Sequence, residues 1–194
     1  MKIRNLTKSY EGHKVLDQCS LTLEEGKVYA LMGPSGCGKT TLLHILMGIV
    51  EKDEGSIEGI AGKEVSAVFQ ENRLFTFLSA GENAAAVQKK AQKLEDINEI
   101  LAEILPRESL NQMVQEYSGG MKRRAAIGRA MLAESDFIIM DEPFTGLDEE
   151  TKNQVIQFIK KYRRGRTLIF STHQEREAEL LHGEKIVLNQ ECDV

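Results

Sequence analysis

Three short apolar runs stand out along the chain, at residues 28–32, 137–140 and 167–170. None of them alternates between apolar and polar side chains, as a strand with one solvated face does. The pattern therefore predicts strands that are buried on both faces, in a mostly parallel sheet covered by helices.

The N-terminal 27 residues follow a different pattern. Residues 3–8 and 15–23 are predicted as strands, and residues 24–27, Glu-Glu-Gly-Lys, as a hairpin turn. We expect this part to form an antiparallel β subdomain beside the parallel sheet.

Two stretches carry apolar residues at spacings of three and four, which predicts a helix with one buried face in each. The positions are Leu94, Ile97, Leu101 and Ile104 in the first stretch, and Val155, Phe158, Ile159 and Tyr162 in the second. Pro106 predicts the end of the first helix. Asp148 stands at the start of the second, where an acid suits the positive end of the helix dipole.

Length and charge fit a single α/β domain. Its 194 residues are 41% hydrophobic, which is enough for a sizeable core. We predict that residues 1–70 and 134–194 form the core with its β subdomain, and that residues from about 71 to 133 form an inserted helical subdomain. The net charge of −5 disfavours a nucleic-acid partner. The basic run at residues 122–124 is predicted to be a solvated helix face.

Nothing in the sequence predicts export or membrane insertion. The first residues are polar and charged, and the longest mostly apolar stretch, residues 41–50, is shorter than the roughly 20 residues that span a bilayer. Cys19, Cys37 and Cys192 are far apart and odd in number, which predicts reduced thiols in a cytosolic protein. A connection to a membrane therefore has to run through another polypeptide.

A phosphate-binding loop follows the first apolar run. Residues 33–40 fit the pattern G-x-x-x-x-G-K-[ST] between a predicted strand and a predicted helix. Backbone N–H groups of such a loop point at a phosphate, the lysine reaches the β- and γ-phosphates, and the final hydroxyl ligates Mg²⁺. The candidate nucleotide-binding residues are Gly33, Pro34, Ser35, Gly36, Cys37, Gly38, Lys39, Thr40 and Thr41.

The second apolar run ends in two acids, Asp141 and Glu142. Ligands of parallel sheets bind beyond the carboxyl ends of the strands. We therefore predict that Asp141 holds Mg²⁺ and that Glu142 polarises the attacking water.

A third motif, Ser118-Gly119-Gly120, precedes a helical pattern that continues through Met131. Serine suits an N-cap, and the two glycines allow a close approach to a ligand. The start of this helix would offer N–H groups, a hydroxyl and a dipole to an anion.

In this order the motifs resemble those of the nucleotide-binding subunits of ABC transporters, over nearly the whole chain. The resemblance implies a RecA-like P-loop NTPase core, with residues 33–40 as Walker A and residues 137–142 as Walker B. It identifies Tyr10 with the residue that stacks on adenine, Gln70 with the Q-loop glutamine, and His173 with the switch histidine.

The signature and the D-loop complete the resemblance. Residues 118–120 match the family signature, and residues 145–148, Thr-Gly-Leu-Asp, match the D-loop. The signature's common leucine and glutamine are Tyr117 and Met121 here. Because methionine lacks an amide, the Ser-Gly-Gly backbone and hydroxyl are left to make the phosphate contact.

The resemblance implies an ATPase that hydrolyses ATP to ADP and phosphate, with Glu142, His173 and Gln70 as catalytic residues. Thr40, Gln70 and Asp141 would hold Mg²⁺. Two copies would dimerise around two ATP molecules, each copy offering one set of residues to its partner's ATP. That set is Ser118, Gly119, Gly120 and Asp148.

The implied partner is an integral membrane permease, which would hold the cytoplasmic subunit at the inner face of the cell membrane. The apolar residues Phe75 and Phe77, after Gln70, are candidate anchors for that partner. Packing of the helical arm on the core is the alternative for this segment. For the whole chain, the alternatives are a soluble ABC-type ATPase that is not coupled to transport and a non-enzymatic regulatory cassette.

Overall fold

A computed structural model of the chain describes residues 1–188, which form eight strands and six α-helices. The strands are β1 (Lys2–Tyr10), β2 (His13–Thr22), β3 (Val28–Met32), β4 (Glu54–Glu58), β5 (Val65–Val68), β6 (Phe137–Met140), β7 (Thr167–Ser171) and β8 (Glu184–Val187). The helices are α1 (Lys39–Leu46), α2 (Ala80–Ala85), α3 (Leu94–Leu101), α4 (Gly119–Leu132), α5 (Glu149–Tyr162) and α6 (Glu175–Leu180).

The chain divides into two compact units. The first contains Met1–Val65, Asp136–Asp141 and the described residues from Gly165 onward. The second contains Ser66–Ser135 and Glu142–Arg164. The domain boundaries drawn from the sequence stay a prediction.

The predicted parallel sheet is confirmed. Its strand order is β5-β6-β7-β3-β8, and the pairs β6–β7, β7–β3 and β3–β8 are all parallel. All residues of β6 and β7 are buried, as their unbroken apolar runs require. The flanking strands β5 and β8 were not predicted, because neither is a continuously buried run: half-buried and buried residues alternate along β5, and three of the four residues of β8 are exposed.

The predicted antiparallel subdomain is confirmed as a second sheet with the order β2-β1-β4. The hairpin turn predicted at residues 24–27 is wrong, since that segment leads from β2 to β3, which belong to different sheets. The hairpin lies earlier, where Tyr10 pairs with His13 across a two-residue turn. Glu11 and Gly12 both have positive φ, at 49° and 83°, as a type I′ turn requires.

One hydrophobic core holds the first unit together. Ile3 and Leu16 of the antiparallel sheet, Leu42 of α1, and Ile139 and Ile169 of the parallel sheet belong to the same buried cluster. Helix α1 is therefore packed into the core from the point where the phosphate loop ends.

The second unit is helical, with its core between α2, α3 and α4. Ile97 and Leu101 are fully buried there, on the helix face predicted from the sequence. A Cβ added at Gly128 of α4 would lie 2.4 Å from the Leu101 Cδ2, so the glycine allows α4 to pack closely on α3. The face predicted for α5 is buried too. Within residues 1–188, no helix has both the length and the apolar character that crossing a membrane requires.

Cys19 and Cys37 are buried and form no disulfide within residues 1–188, in agreement with the predicted thiols. Cys192 lies outside the described residues.

Candidate functional site

The phosphate loop joins β3 to α1 through glycines that no other residue fits. Gly33 has a φ of 143°, and a Cβ there would lie 2.4 Å from the Leu188 carbonyl oxygen. Gly38 caps α1 at a φ of 98°, and its Cβ would lie 2.7 Å from the Val15 carbonyl oxygen. Both positions combine a left-handed backbone with close neighbours, so the loop's shape depends on them.

Lys39 lies across its own loop. Its Nζ donates hydrogen bonds of 2.9 Å to the carbonyl oxygens of Gly33 and Pro34, and the residue is only 6% exposed. The Cys37 Sγ is 3.8 Å away. The positive charge is thus held at the inner surface of the loop.

Beside the loop, Asp141 is bound through both carboxylate oxygens. The Thr40 hydroxyl donates to its Oδ2 at 2.8 Å, and the Ser171 hydroxyl donates to its Oδ1 at 2.5 Å. Asp141 is 1% exposed, whereas Thr40 is exposed. The structure therefore brings together Thr40 and Asp141, both predicted as Mg²⁺ ligands, and adds Ser171, which the sequence analysis missed. Ser171 is the last residue of the neighbouring strand β7, and parallel strands end at one edge of a sheet. This position in the sequence could have indicated that Ser171 lies near Asp141.

Tyr10 and His173 are also in the first unit. Tyr10 ends β1 with its side chain 43% exposed, and the Lys8 Nζ lies 5.4 Å from the centre of its ring. His173 is exposed in the turn after β7. The Gln174 N–H, which donates to the Thr172 hydroxyl at 3.0 Å, holds that turn in place.

In the second unit, Ser118 is the N-cap of α4, as predicted. Its Oγ accepts a hydrogen bond of 3.3 Å from the Met121 N–H. Tyr117 is buried, and its hydroxyl donates to the Ser109 carbonyl oxygen at 2.8 Å. Burial also raises the pKa of the Tyr117 phenol. Met121 packs against the same core, which agrees with an apolar role for this signature position.

The signature and the D-loop lie next to each other in this unit. A Cβ added at Gly120 would be 3.5 Å from the Leu147 Cδ2 and 3.8 Å from the Gly146 carbonyl oxygen. Asp148 is the N-cap of α5, where it accepts bonds of 2.9 and 2.7 Å from the N–H and hydroxyl of Thr151. These bonds, first of all the one from the backbone N–H, lower the pKa of Asp148. All four residues predicted to act on a partner's ATP therefore belong to one unit.

Glu142 follows Asp141 directly and has a left-handed backbone, with a φ of 45°. Such a backbone costs a residue with a side chain roughly 1–2 kcal/mol, so neighbouring structure has to hold it in place. The Thr145 hydroxyl donates to the Glu142 Oε2 at 3.3 Å. The carboxylate is thereby tied to the start of the D-loop.

Gln70 is exposed, but its backbone is not free. The guanidinium of Arg123 donates to the carbonyl oxygens of Phe69, at 2.6 Å, and of Gln70. Arg123 is 6% exposed, so the predicted solvated face at residues 122–124 is wrong for this residue. Its spacing of four and seven from the buried Ile127 and Ala130 was the signal that it shares their helix face.

Residues 16–145 match the family model described as ABC transporter. Among curated proteins, the aliphatic sulfonates import ATP-binding protein SsuB 2 of Pseudomonas syringae pv. tomato is 33% identical over 97% of this chain and 82% of its own length. The sulfate/thiosulfate import ATP-binding protein CysA of the same organism is 32% identical over 98% of this chain, which spans 64% of that protein's length.

Solved structures agree with these relatives. The dimeric structure of MJ0796, a bacterial ABC transporter cassette, superposes with a TM-score of 0.85 at 28% identity, over 97% of this chain and 94% of that one. A second dimeric structure of MJ0796, in a post-hydrolysis state bound to ADP and Pi, gives a TM-score of 0.83 at 27% identity with the same coverage.

Proposed function

The chain belongs to the ABC transporter family, and from that premise we propose that it binds ATP and hydrolyses it to ADP and phosphate, driving transport through a separate membrane protein. The observation that carries this proposal is the bond between Thr40, at the end of the phosphate loop, and the buried carboxylate of Asp141. It joins the two motifs on which ATP chemistry depends. The family predicted from the sequence is confirmed.

The phosphate loop binds the triphosphate of ATP. Its N–H groups and the first turn of α1 provide partial positive charge, and Lys39 adds a full charge from inside the loop. When a phosphate enters the loop, its oxygens replace the Gly33 and Pro34 carbonyl oxygens as hydrogen-bond acceptors of the Lys39 Nζ. The exposed ring of Tyr10 stacks on adenine.

The donor set around Thr40 fits Mg²⁺. A hydroxyl and a carboxylate are hard oxygen ligands, and Mg²⁺ keeps several waters beside its protein ligands. Thr40, Asp141 and Gln70 hold the ion, and water and phosphate oxygens take the remaining positions. When bound, Mg²⁺ neutralises charge on the transferring phosphoryl group.

Glu142 orients the attacking water, and His173 steadies the γ-phosphate. Phosphoryl transfer depends mainly on positioning and electrostatics, so the fixed backbone of Glu142 and its contact with Thr145 suit this task.

The second unit completes the site of another copy. Ser118, Gly119 and Gly120 present the N-terminus of α4, and the D-loop with Asp148 lies beside them. The phosphate loop already has its own helix terminus, so this second terminus is available for the partner's ATP. Two chains therefore enclose two ATP molecules across an isologous interface.

An apolar surface in the second unit fits a membrane partner. Phe77 is 73% exposed, Phe75 59% and Met113 45%. They lie on adjoining backbone, because the Gln115 N–H donates to the Thr76 carbonyl oxygen at 2.8 Å. Exposed aromatic side chains on a held backbone are typical anchors of an interface. This surface supports transport over the alternative of an uncoupled ATPase, and it supports the proposed position of the chain at the inner face of the membrane.

Calorimetric titration with ATP and Mg²⁺ tests the nucleotide site. Lys39→Ala should weaken ATP binding roughly 100-fold, because it removes the one full positive charge inside the loop. Lys52→Ala, which removes an exposed lysine of the same unit, should bind ATP as the unaltered chain does. Equal affinities of the three proteins would overturn the assignment of the loop.

A further inference from the structure

Arg123 lies on the signature helix α4 but acts on the Q-loop segment. One arm of its guanidinium donates to the Phe69 carbonyl oxygen at 2.6 Å, and the other donates to the Gln70 carbonyl oxygen. The side chain is 6% exposed. A buried guanidinium that spans two successive carbonyls fixes the direction of that backbone as well as its distance from the helix.

A second arginine of α4 holds the other end of the same segment. The Arg129 guanidinium donates to the Arg73 carbonyl oxygen at 2.8 Å. The Arg73 guanidinium in turn lies 3.9 Å from the centre of the Phe69 ring, which closes the segment on itself. Residues 69–73 are thus attached to α4 at both ends.

We propose that Arg123 is a positioning residue that ties Gln70 to the signature helix, so that the Q-loop segment, residues 69–73, and the start of α4 move as one body. The proposal rests on the proposed function, in which Gln70 serves the chain's own ATP and Ser118 the partner's. Any shift of α4 when the partner's ATP binds is then transmitted through Arg123 to the backbone of Gln70. The two ATP sites of the dimer are coupled through this side chain.

The two hydrogen bonds of the Arg123 guanidinium can be removed partly or completely by substitution, which makes the proposal testable. Methionine keeps a long aliphatic stem but has no donor, so Arg123→Met leaves two carbonyls without the guanidinium. Lysine keeps the charge as a single point and cannot present two parallel N–H groups. The attachment of the segment in Arg123→Lys should therefore be weaker than in the unaltered chain and stronger than in Arg123→Met. Lys122→Ala removes the preceding basic residue, whose Nζ contacts the Gln115 carbonyl oxygen and not the segment.

Limited trypsin digestion reads the attachment without ATP. Cleavage after Arg73, measured by mass spectrometry relative to cleavage after the exposed Lys93, should rise about tenfold in Arg123→Met and less in Arg123→Lys, since cleavage follows the population of the locally open state. Lys122→Ala should leave the ratio unchanged. Equal ratios in all four proteins, or a parallel rise at both sites in the Arg123 variants, would overturn the proposal.

Steady-state kinetics then test the positioning role. Arg123→Met should lower kcat about tenfold with KM for ATP within about twofold, because the loop that binds ATP is untouched. In a Gln70→Ala background the same change should lower kcat no further, since Arg123 acts through Gln70. Additive losses would overturn it. The digestion needs no turnover, so a chain that proves unable to hydrolyse ATP refutes the proposed function while digestion still decides the attachment.

Discussion

Thr40 and Asp141 are 101 positions apart in the sequence, yet one hydrogen bond of 2.8 Å joins their side chains. The sequence predicted both as Mg²⁺ ligands, because each motif has its own spacing rule. The end of the predicted strand marked Ser171 as a residue at the same sheet edge, but its contact with the second carboxylate oxygen depends on the order of strands in the sheet, which the sequence does not give. For Arg123, helical spacing indicated the buried face, but it did not indicate the backbone carbonyls that the side chain contacts.

Glu142→Gln tests the proposed role of this carboxylate. Glutamine keeps the size and can still accept from Thr145, but it cannot polarise water as a carboxylate does. We expect ATP turnover to fall roughly 100- to 10,000-fold, the usual range for a lost general base. ATP-dependent dimers should persist, because binding groups are intact. Steady-state turnover and light scattering with ATP measure both, and normal turnover would remove Glu142 from this role.

Two glycines of the phosphate loop provide a matched pair for stability. Gly36→Ala meets only backbone strain, since its φ is 81° and no atom lies within 4 Å of the added Cβ; we expect a loss of about 1 kcal/mol. Gly38→Ala adds a clash at 2.7 Å with the Val15 carbonyl oxygen, so we expect about 3 kcal/mol. Urea unfolding followed by circular dichroism measures the difference, and equal losses would contradict the close approach at Gly38.

Helices and strands differed in how far the sequence revealed them. The periodic faces of α3 and α5 are long enough to be recognised, and Ser118 marked the start of α4. Strand β4 is polar and exposed in nearly all of its five residues, so it shows no apolar run and was missed. The hairpin turn at Glu11–Gly12 was missed because residues 24–27 form the longer polar segment, which favours a turn there. Only the pairing of the flanking strands distinguishes a hairpin turn from a connection between two sheets.

The N-cap of α5 should make its stability depend on acid. The pKa of Asp148 lies below its ordinary value of 3.8, so its stabilising contribution is complete above that pH and is lost as the pH falls through the lowered pKa. Asp148→Asn keeps a capping acceptor but cannot titrate, whereas Asp148→Ala removes the cap. We expect Tm at pH 7 to fall in Asp148→Ala more than in Asp148→Asn.

On lowering the pH from 5 to about 2, the unaltered chain should lose more Tm than Asp148→Asn does, because Asp148 is protonated towards the acid end of this window whereas asparagine has no carboxyl group; the other carboxyl groups are common to both proteins. Differential scanning calorimetry at the two pH values gives the comparison. Parallel curves for the two proteins would show that Asp148 does not carry this dependence.

Each of the two compact units contains part of the proposed machinery. The first contains the phosphate loop, Asp141 and His173, and the second contains Gln70, Glu142, the signature and the D-loop. The overall α/β class, the parallel sheet and the family could all be predicted from the sequence, because each rests on local patterns. The assembly of two chains could not be derived in the same way, since no local pattern encodes the contact between copies, and it stays a proposal.

Mixing two inactive variants tests whether the signature acts on the partner's ATP. Lys39→Ala removes the charge of the phosphate loop, and Ser118→Arg blocks the start of α4, so each alone should have little turnover. In an equimolar mixture, half of the dimers are mixed and contain one intact composite site, which should restore up to about a quarter of normal turnover. A mixture that shows only the sum of its parts would contradict action across the dimer.

The turn at Glu11–Gly12 gives the site an unexpected sensitivity to chain length. Tyr10 pairs with His13 across the shortest common hairpin connection, so the orientation of its ring is set by the register of β1 and β2. Shifting a strand by one residue turns every side chain to the opposite face of the sheet. A single inserted or deleted residue that shifts this register would thus turn the proposed adenine-stacking ring of Tyr10 away from its site, while the sequence of every motif stayed intact.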